Sequence, residues 1–140
     1  MMAITSFSEE NRFLSNFYFC KIEMEGIVYL SVENAYQAAK TLDIAEREEL
    51  ARMTPGQAKR RGSKVSLRAD WEAIKLGIME NPIRQKFNMP ELREKILATG
   101  SAELIEGNDW CDRYWGMCEG EGLNMLGKIL MKIRSDLEVS

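Results

Sequence analysis

The stretch Ser31-Val32-Glu33-Asn34-Ala35-Tyr36-Gln37-Ala38-Ala39-Lys40 sets the narrowest limit on what this chain folds into. It follows a strand-like run and opens with Ser31, whose hydroxyl can accept from a free backbone N–H of a first helical turn, so it reads as an N-cap followed by a helix. On that helix Glu33, Tyr36, Gln37 and Lys40 fall at i, i+3, i+4 and i+7 and share one face. Val32, Ala35, Ala38 and Ala39 leave the remaining surface small enough for close packing. The carboxylate of Glu33 and the amine of Lys40 stand two turns apart, about 10 Å along the axis. That is too far for a direct surface ion pair and suited to bracketing a nucleoside-sized ligand. A solvated helix face has the same spacing, and spacing alone does not choose between the two.

The rest of the chain is arranged before and after this helix. Tyr18 to Met24 alternates, with Tyr18, Cys20, Ile22 and Met24 on one face, which predicts a half-buried strand. Glu25-Gly26 supplies the turn, and Ile27-Val28-Tyr29-Leu30 returns as the second strand of a hairpin. Asp43-Ile44-Ala45-Glu46 resembles a capping box opening a helix to about Met53. Thr54-Pro55-Gly56-Gln57 is a fuller one, with Pro at the first helical position and Gly62 closing a short basic helix. Asp70 is expected to cap a further helix holding Trp71, Ile74 and Ile78 in one stripe. Asn81-Pro82 and Met89-Pro90 are each expected to restart a helix. Ala102 to Glu106 predicts a short third strand. A loop dense in Gly, Trp, Tyr, Asn and Asp runs from Gly107 to Gly122, and the last helix spans about Asn124 to Leu137. The sum is an α+β fold, helix-dominated, with a small sheet, and 140 residues fit a single domain over 1–140.

Composition removes several function classes. The chain has no histidine, which excludes Ser-His-Asp chemistry and most catalytic zinc sites. Cys20, Cys111 and Cys118 are an odd count with no Cys-x-x-Cys pair, so neither a disulfide framework nor a structural zinc is expected, and no metal or cofactor is assigned. Catalysis is left to carboxylates, lysine, tyrosine, backbone or water. A net charge of −3 gives no global attraction to nucleic acid. No apolar run reaches membrane-span length and no basic-then-apolar signal opens the chain, so no membrane contact is expected and the default location is cytoplasmic. The basic cluster Lys59, Arg60, Arg61, Lys64 and Arg68 is either a solvated face or the place where phosphates bind.

Glu33 sits in the first turn of its helix, where the macrodipole favours the ionised carboxylate by some tenths of a kcal/mol to about 1. Lys40 lies between two alanines and Thr41-Leu42, an apolar setting that favours a neutral amine. Ser-x-Glu-x-x-Tyr-Gln-Ala-x-Lys combines with three further motifs: Phe13-Leu14-Ser15-Asn16-Phe17, Asp112-Arg113-Tyr114-Trp115-Gly116 and Gly122-Leu123-Asn124-Met125-Leu126-Gly127. In that order, from about Phe7 to Arg134, the combination resembles the NADAR (NAD and ADP-ribose associated) family, the YbiA-like group.

The resemblance implies a YbiA-like fold and cleavage of an N-glycosidic bond between ribose C1′ and a base. The substrate would be guanine ADP-ribose in nucleic acid or a ribosylaminopyrimidine phosphate of riboflavin synthesis. It implies Glu33 and Asp112 as acidic candidates and Lys40 as a trap for C1′ as a Schiff base. Tyr36, Trp71, Trp115 and Phe17 are candidates to stack on a base, or else core residues. Ser15 and Asn16 are ribose-binding or turn residues. Gln37 shares the Glu33 face, Gly116 admits close backbone approach, and Asn124 is a ligand or the N-cap of the last helix. Where relatives continue Gly62 with arginine, this chain has Gly62-Ser63-Lys64, so Lys64 or Arg61 must substitute at the phosphate; Lys64 and Arg68 are taken as substrate-binding candidates. Two rivals stand beside the N-glycosidase: a non-catalytic ADP-ribose or NAD-binding module, and an interaction protein that docks through the helix surface. Oligomeric state is not legible.

Overall fold

The computed structural model describes residues 2–140. It is α+β and helix-dominated. A 3-10 turn, Glu9–Leu14, precedes the hairpin strands β1 (Ile22–Met24) and β2 (Ile27–Tyr29). Five helices follow: α1 (Val32–Ala39), α2 (Ile44–Ala51), α3 (Pro55–Gly62), α4 (Trp71–Phe87) and α5 (Pro90–Ala98). Strands β3 (Gly107–Asn108) and β4 (Met117–Cys118) and helix α6 (Met125–Glu138) complete the chain. It folds as two compact units, one of Asn16–Lys86 and one of the residues up to Ser15 with Phe87–Ser140.

In the Asn16–Lys86 unit the hairpin is antiparallel, pairing Ile22 with Tyr29, Glu23 with Val28 and Met24 with Ile27. Both turn residues lie at positive φ, Glu25 at 49° and Gly26 at 83°, the geometry that matches the twist of a two-residue hairpin. The ladder is shorter than the alternation from Tyr18 implied, although the Cys20 N–H still reaches the Leu30 carbonyl at 3.0 Å. Ser31 then accepts from the Asn34 N–H and starts α1. Every residue of α1 is buried, so its polar face is not a solvated one. The α2 cap is half a box: Asp43 accepts from the Ala45 and Glu46 N–H groups, while the Glu46 carboxylate turns to Thr41 and Ser66. The Thr54/Gln57 box of α3 is complete in both directions.

Two sequence expectations fail here. Pro82 does not restart a helix; α4 runs through it unbroken. Pro82 removes one N–H and clashes with the preceding turn, at a cost of about 3 kcal/mol. The face carrying Met79, Pro82, Ile83 and Lys86 is nevertheless buried without interruption, and that burial offsets the lost bond. The Asp70 carboxylate, expected as a side-chain cap, instead accepts both forks of the Arg68 guanidinium, at 2.7 and 3.2 Å.

In the other unit α5 packs on α6 and on the 3-10 turn, with Leu14, Phe87, Ile96, Leu104, Leu130 and Ile133 almost wholly buried. The third strand expected over Ala102–Glu106 is reduced to a single parallel bridge between Ile4 and Leu104. Its missing neighbour is supplied by a side chain: Asn124 donates to the Leu104 carbonyl at 2.9 Å and accepts from the Glu106 N–H at 3.0 Å. Strands β3 and β4 pair in parallel inside the loop read from sequence as irregular. No helix among the described residues is long and apolar enough to cross a membrane.

Candidate active site

Helix α1 is fastened at both ends. At its start the Glu33 N–H donates to the Asn16 carbonyl at 3.0 Å. At its end the Lys40 carbonyl accepts from the Arg68 N–H at 2.8 Å, and Asn34 in the middle donates to the Leu50 and Met53 carbonyls, both at 2.9 Å. Those carbonyls lie at and just beyond the C-terminal end of α2, so the Asn34 amide ties α1 to that end. The Glu33 face therefore sits on a helix with little freedom to shift.

On that face Glu33 and Gln37 are 7% and 4% exposed. A carboxylate so enclosed needs a donor, and the Gln37 amide N–H donates to Glu33 Oε1 at 3.3 Å. One turn on, the Lys40 ammonium stands 5.7 Å from the centre of the Tyr36 ring, whose other neighbour is Trp71 at 5.2 Å and 56°. Burial pushes the Lys40 amine below the ordinary lysine value, and Glu33 is the strongest opposing influence. A buried carboxylate and an amine biased toward neutrality thus share one helix face, with an aromatic pair beside them.

The other candidates of this unit do not all share that face. Trp71 is 4% exposed, so it packs as core behind Tyr36. Phe17 is half-buried with the Lys59 ammonium 6.0 Å from its ring centre. The Asn16 side chain points to the Met79 sulfur at 3.5 Å. Arg68 is held by Asp70 and lines a small surface cleft with Arg47, Ala35 and Ala39. Positions 35 and 39 lie about 200° around the helix from 33 and 37, so that cleft is on the opposite side of α1 from Glu33. Lys64 is exposed, and Arg61 is paired with Glu46 and Glu49.

The second unit holds Ser15, Asp112, Trp115, Gly116 and Asn124. Ser15, half-buried, ends the 3-10 turn by donating its N–H to the Arg12 carbonyl at 2.9 Å. Asp112 shapes its loop: one carboxylate oxygen accepts from the Tyr114 and Trp115 N–H groups at 3.1 and 2.9 Å, and its backbone is bracketed by the Asn108 amide. Tyr114 and Trp115 meet edge to face at 4.8 Å. Gly116 is enclosed, since a Cβ there would lie 1.8 Å from a carboxylate oxygen of Glu106. Asn124 holds the N-cap position of α6 at φ 52°, with its side chain spent on the 104–106 segment rather than on the helix.

Three residues that sequence reasoning left out belong to this description. Asn34 lies inside the motif but off its polar face, and only the fold reveals that it closes α2. Glu106 was read as part of a strand. Gly62 was read as a helix stop, and its contact with Gln37 has no local signal.

The NADAR domain family model matches residues 5–138. The N-glycosidase YbiA of Escherichia coli (strain K12) is 38% identical over 139 residues, covering 96% of this chain and 86% of that protein. A riboflavin biosynthesis protein of Vibrio vulnificus (strain YJ016) is 38% identical over 136 residues, covering 93% of this chain and 36% of its own length. The NMR structure of E. coli YbiA superposes with a TM-score of 0.85 at 37% identity, covering 99% of this chain and 84% of that one.

Proposed function

Since the chain belongs to the NADAR family and is an N-glycosidase, we propose that it hydrolyses the bond between ribose C1′ and a base nitrogen in a ribosyl-phosphate or ADP-ribosyl substrate. Glu33 and Lys40 stand at the anomeric carbon. The observation that carries this is the pairing on α1 of a buried, amide-held carboxylate with an amine whose pKa burial lowers.

Departure of the base leaves positive charge on C1′ and the ring oxygen. A fixed carboxylate stabilises that charge where water is scarce. The leaving nitrogen takes up a proton. The neutral Lys40 amine then adds to C1′, and ring opening gives an imine; water adds to the imine, the C–N bond to Lys40 breaks, and the free sugar leaves with the amine restored. One water is consumed and one N–H bond is formed on the base. Tyr36 supplies the aromatic surface against which the amine lies, and no metal or cofactor enters any step. Asp112 is the second acidic candidate by family resemblance, and one of its carboxylate oxygens is committed to its own loop.

The favoured substrate is a ribosylaminopyrimidine phosphate, because one similar protein is named for riboflavin biosynthesis and a net charge of −3 disfavours a polyanion. Guanine ADP-ribose in nucleic acid shares the same ribose and is the second substrate to assay. Release of free base from either is the test. Glu33→Gln and Lys40→Ala should each lower kcat by about a hundredfold or more while leaving the thermal midpoint near that of the parent. Ligand-induced stabilisation with no base released would point instead to an ADP-ribose-binding module. Neither stabilisation nor release from either substrate would contradict the proposed reading.

A further inference from the structure

One buried polar side-chain atom has no hydrogen-bond partner among the described residues: Gln37 Oε1. A buried oxygen with no protein donor is uncommon, so its orientation needs a cause. A Cβ built on Gly62 would lie 1.9 Å from this oxygen, 2.7 Å from Gln37 Cδ and 3.1 Å from its Cβ. The Gln37 amide therefore rests on the bare Cα of Gly62. In that pose its N–H groups point away from Gly62 and one reaches Glu33 Oε1. Rotating the amide to relieve the oxygen would take the donor off the carboxylate.

Gly62 is not required by its backbone. It is the last residue of α3 and does not adopt positive φ. Glycine in a helix is about 0.5–1 kcal/mol worse than alanine there. What only glycine provides at this position is room for the Gln37 amide.

We infer that Gly62 is a positioning residue: by leaving space for the Gln37 amide it aims a hydrogen-bond donor at the Glu33 carboxylate and so sets the strength of the catalytic group. The inference rests on the reading of Glu33 as that group. It makes Gly62, Gln37 and Glu33 one unit drawn from two helices.

The test is steady-state kinetics on Gly62→Ala, Gln37→Met and the double variant, with Glu33→Gln assayed alongside. Gly62→Ala should lower kcat by about ten- to a hundredfold, the size of one hydrogen bond to a charged group, with KM little changed. The acid limb of its kcat profile should move to higher pH, because a carboxylate that loses a donor holds its proton more tightly. In the Gln37→Met background Gly62→Ala should have no further effect. Gln37→Met keeps the side-chain volume without the donor, so it tests the same link if Gly62→Ala proves unstable. Full activity in Gly62→Ala, or losses that multiply in the double variant, would overturn the inference while Glu33→Gln remains inactive. An active Glu33→Gln would instead remove the premise.

Discussion

Lys86 is 1% exposed, and burial pushes its amine down to about 7, with Cys20 opposing. The folded pKa lies below the unfolded one, so above pH 7 the unfolded chain binds the extra proton and stability rises with pH until the unfolded lysine also titrates, near pH 10. Below pH 7 both states are protonated and the penalty is constant. Relative to Lys86→Met, the parent should gain up to about 1.4 kcal/mol of stability per pH unit between pH 7 and 10. Urea melts across that range measure it, and parallel pH dependences would refute it. Lys40 follows the same sign, its smaller shift making neutral amine more available than in free lysine. The apolar setting of Lys40 was legible in the Ala38-Ala39 and Thr41-Leu42 flanks. That of Lys86 was not, because its helix carries polar residues on every side and only the fold decides which face is covered.

At the scale of elements, capping chemistry was the most legible signal. Ser31, Asp43 and Thr54 each cap the helix the sequence assigned to them, because a cap depends on atoms within three residues. Long-range terms overrode local ones elsewhere. Pro82 reads as a break, but the buried Met79–Ile83 spacing continues across it, a periodicity that could have outweighed the proline. The 102–106 strand shrank to one bridge with Ile4 because its other edge is met by the Asn124 side chain, which no alternation pattern encodes. Asn34 is the element-scale counterpart of the active-site argument: its amide bonds the Leu50 carbonyl of α2 and the Met53 carbonyl just beyond it, and anchors the helix bearing Glu33. Asn34→Ala would leave both carbonyls without that donor and should destabilise the protein by about 2–3 kcal/mol. A thermal midpoint unchanged from the parent would show that the bonds are replaced by water.

For the molecule as a whole, the fold class and the family were within reach of the sequence, because the Ser31–Lys40 motif and the two C-terminal motifs occur in order over nearly the full chain. What stayed out of reach is how the candidate residues are used. Glu33, Gln37, Tyr36 and Lys40 share one buried face, Trp71 backs it as core, and Arg68 lines the far side of the same helix. Asp112 spends its hydrogen bonds on its own loop, while Gly116 is closed in by Glu106 and Asn124 is spent on the 104–106 segment. Spacing told which residues face together. Only packing told which of them are enclosed, and enclosure gives a carboxylate and an amine their reactivity. The most direct test is to incubate the protein with a ribosylaminopyrimidine phosphate, and separately with ADP-ribosylated guanine DNA, add borohydride during turnover, and measure intact and peptide masses. Free base together with a reduced sugar adduct on Lys40 is the expected result. Free base with no adduct on Lys40, and undiminished turnover by Lys40→Ala, would contradict the covalent role placed on that lysine.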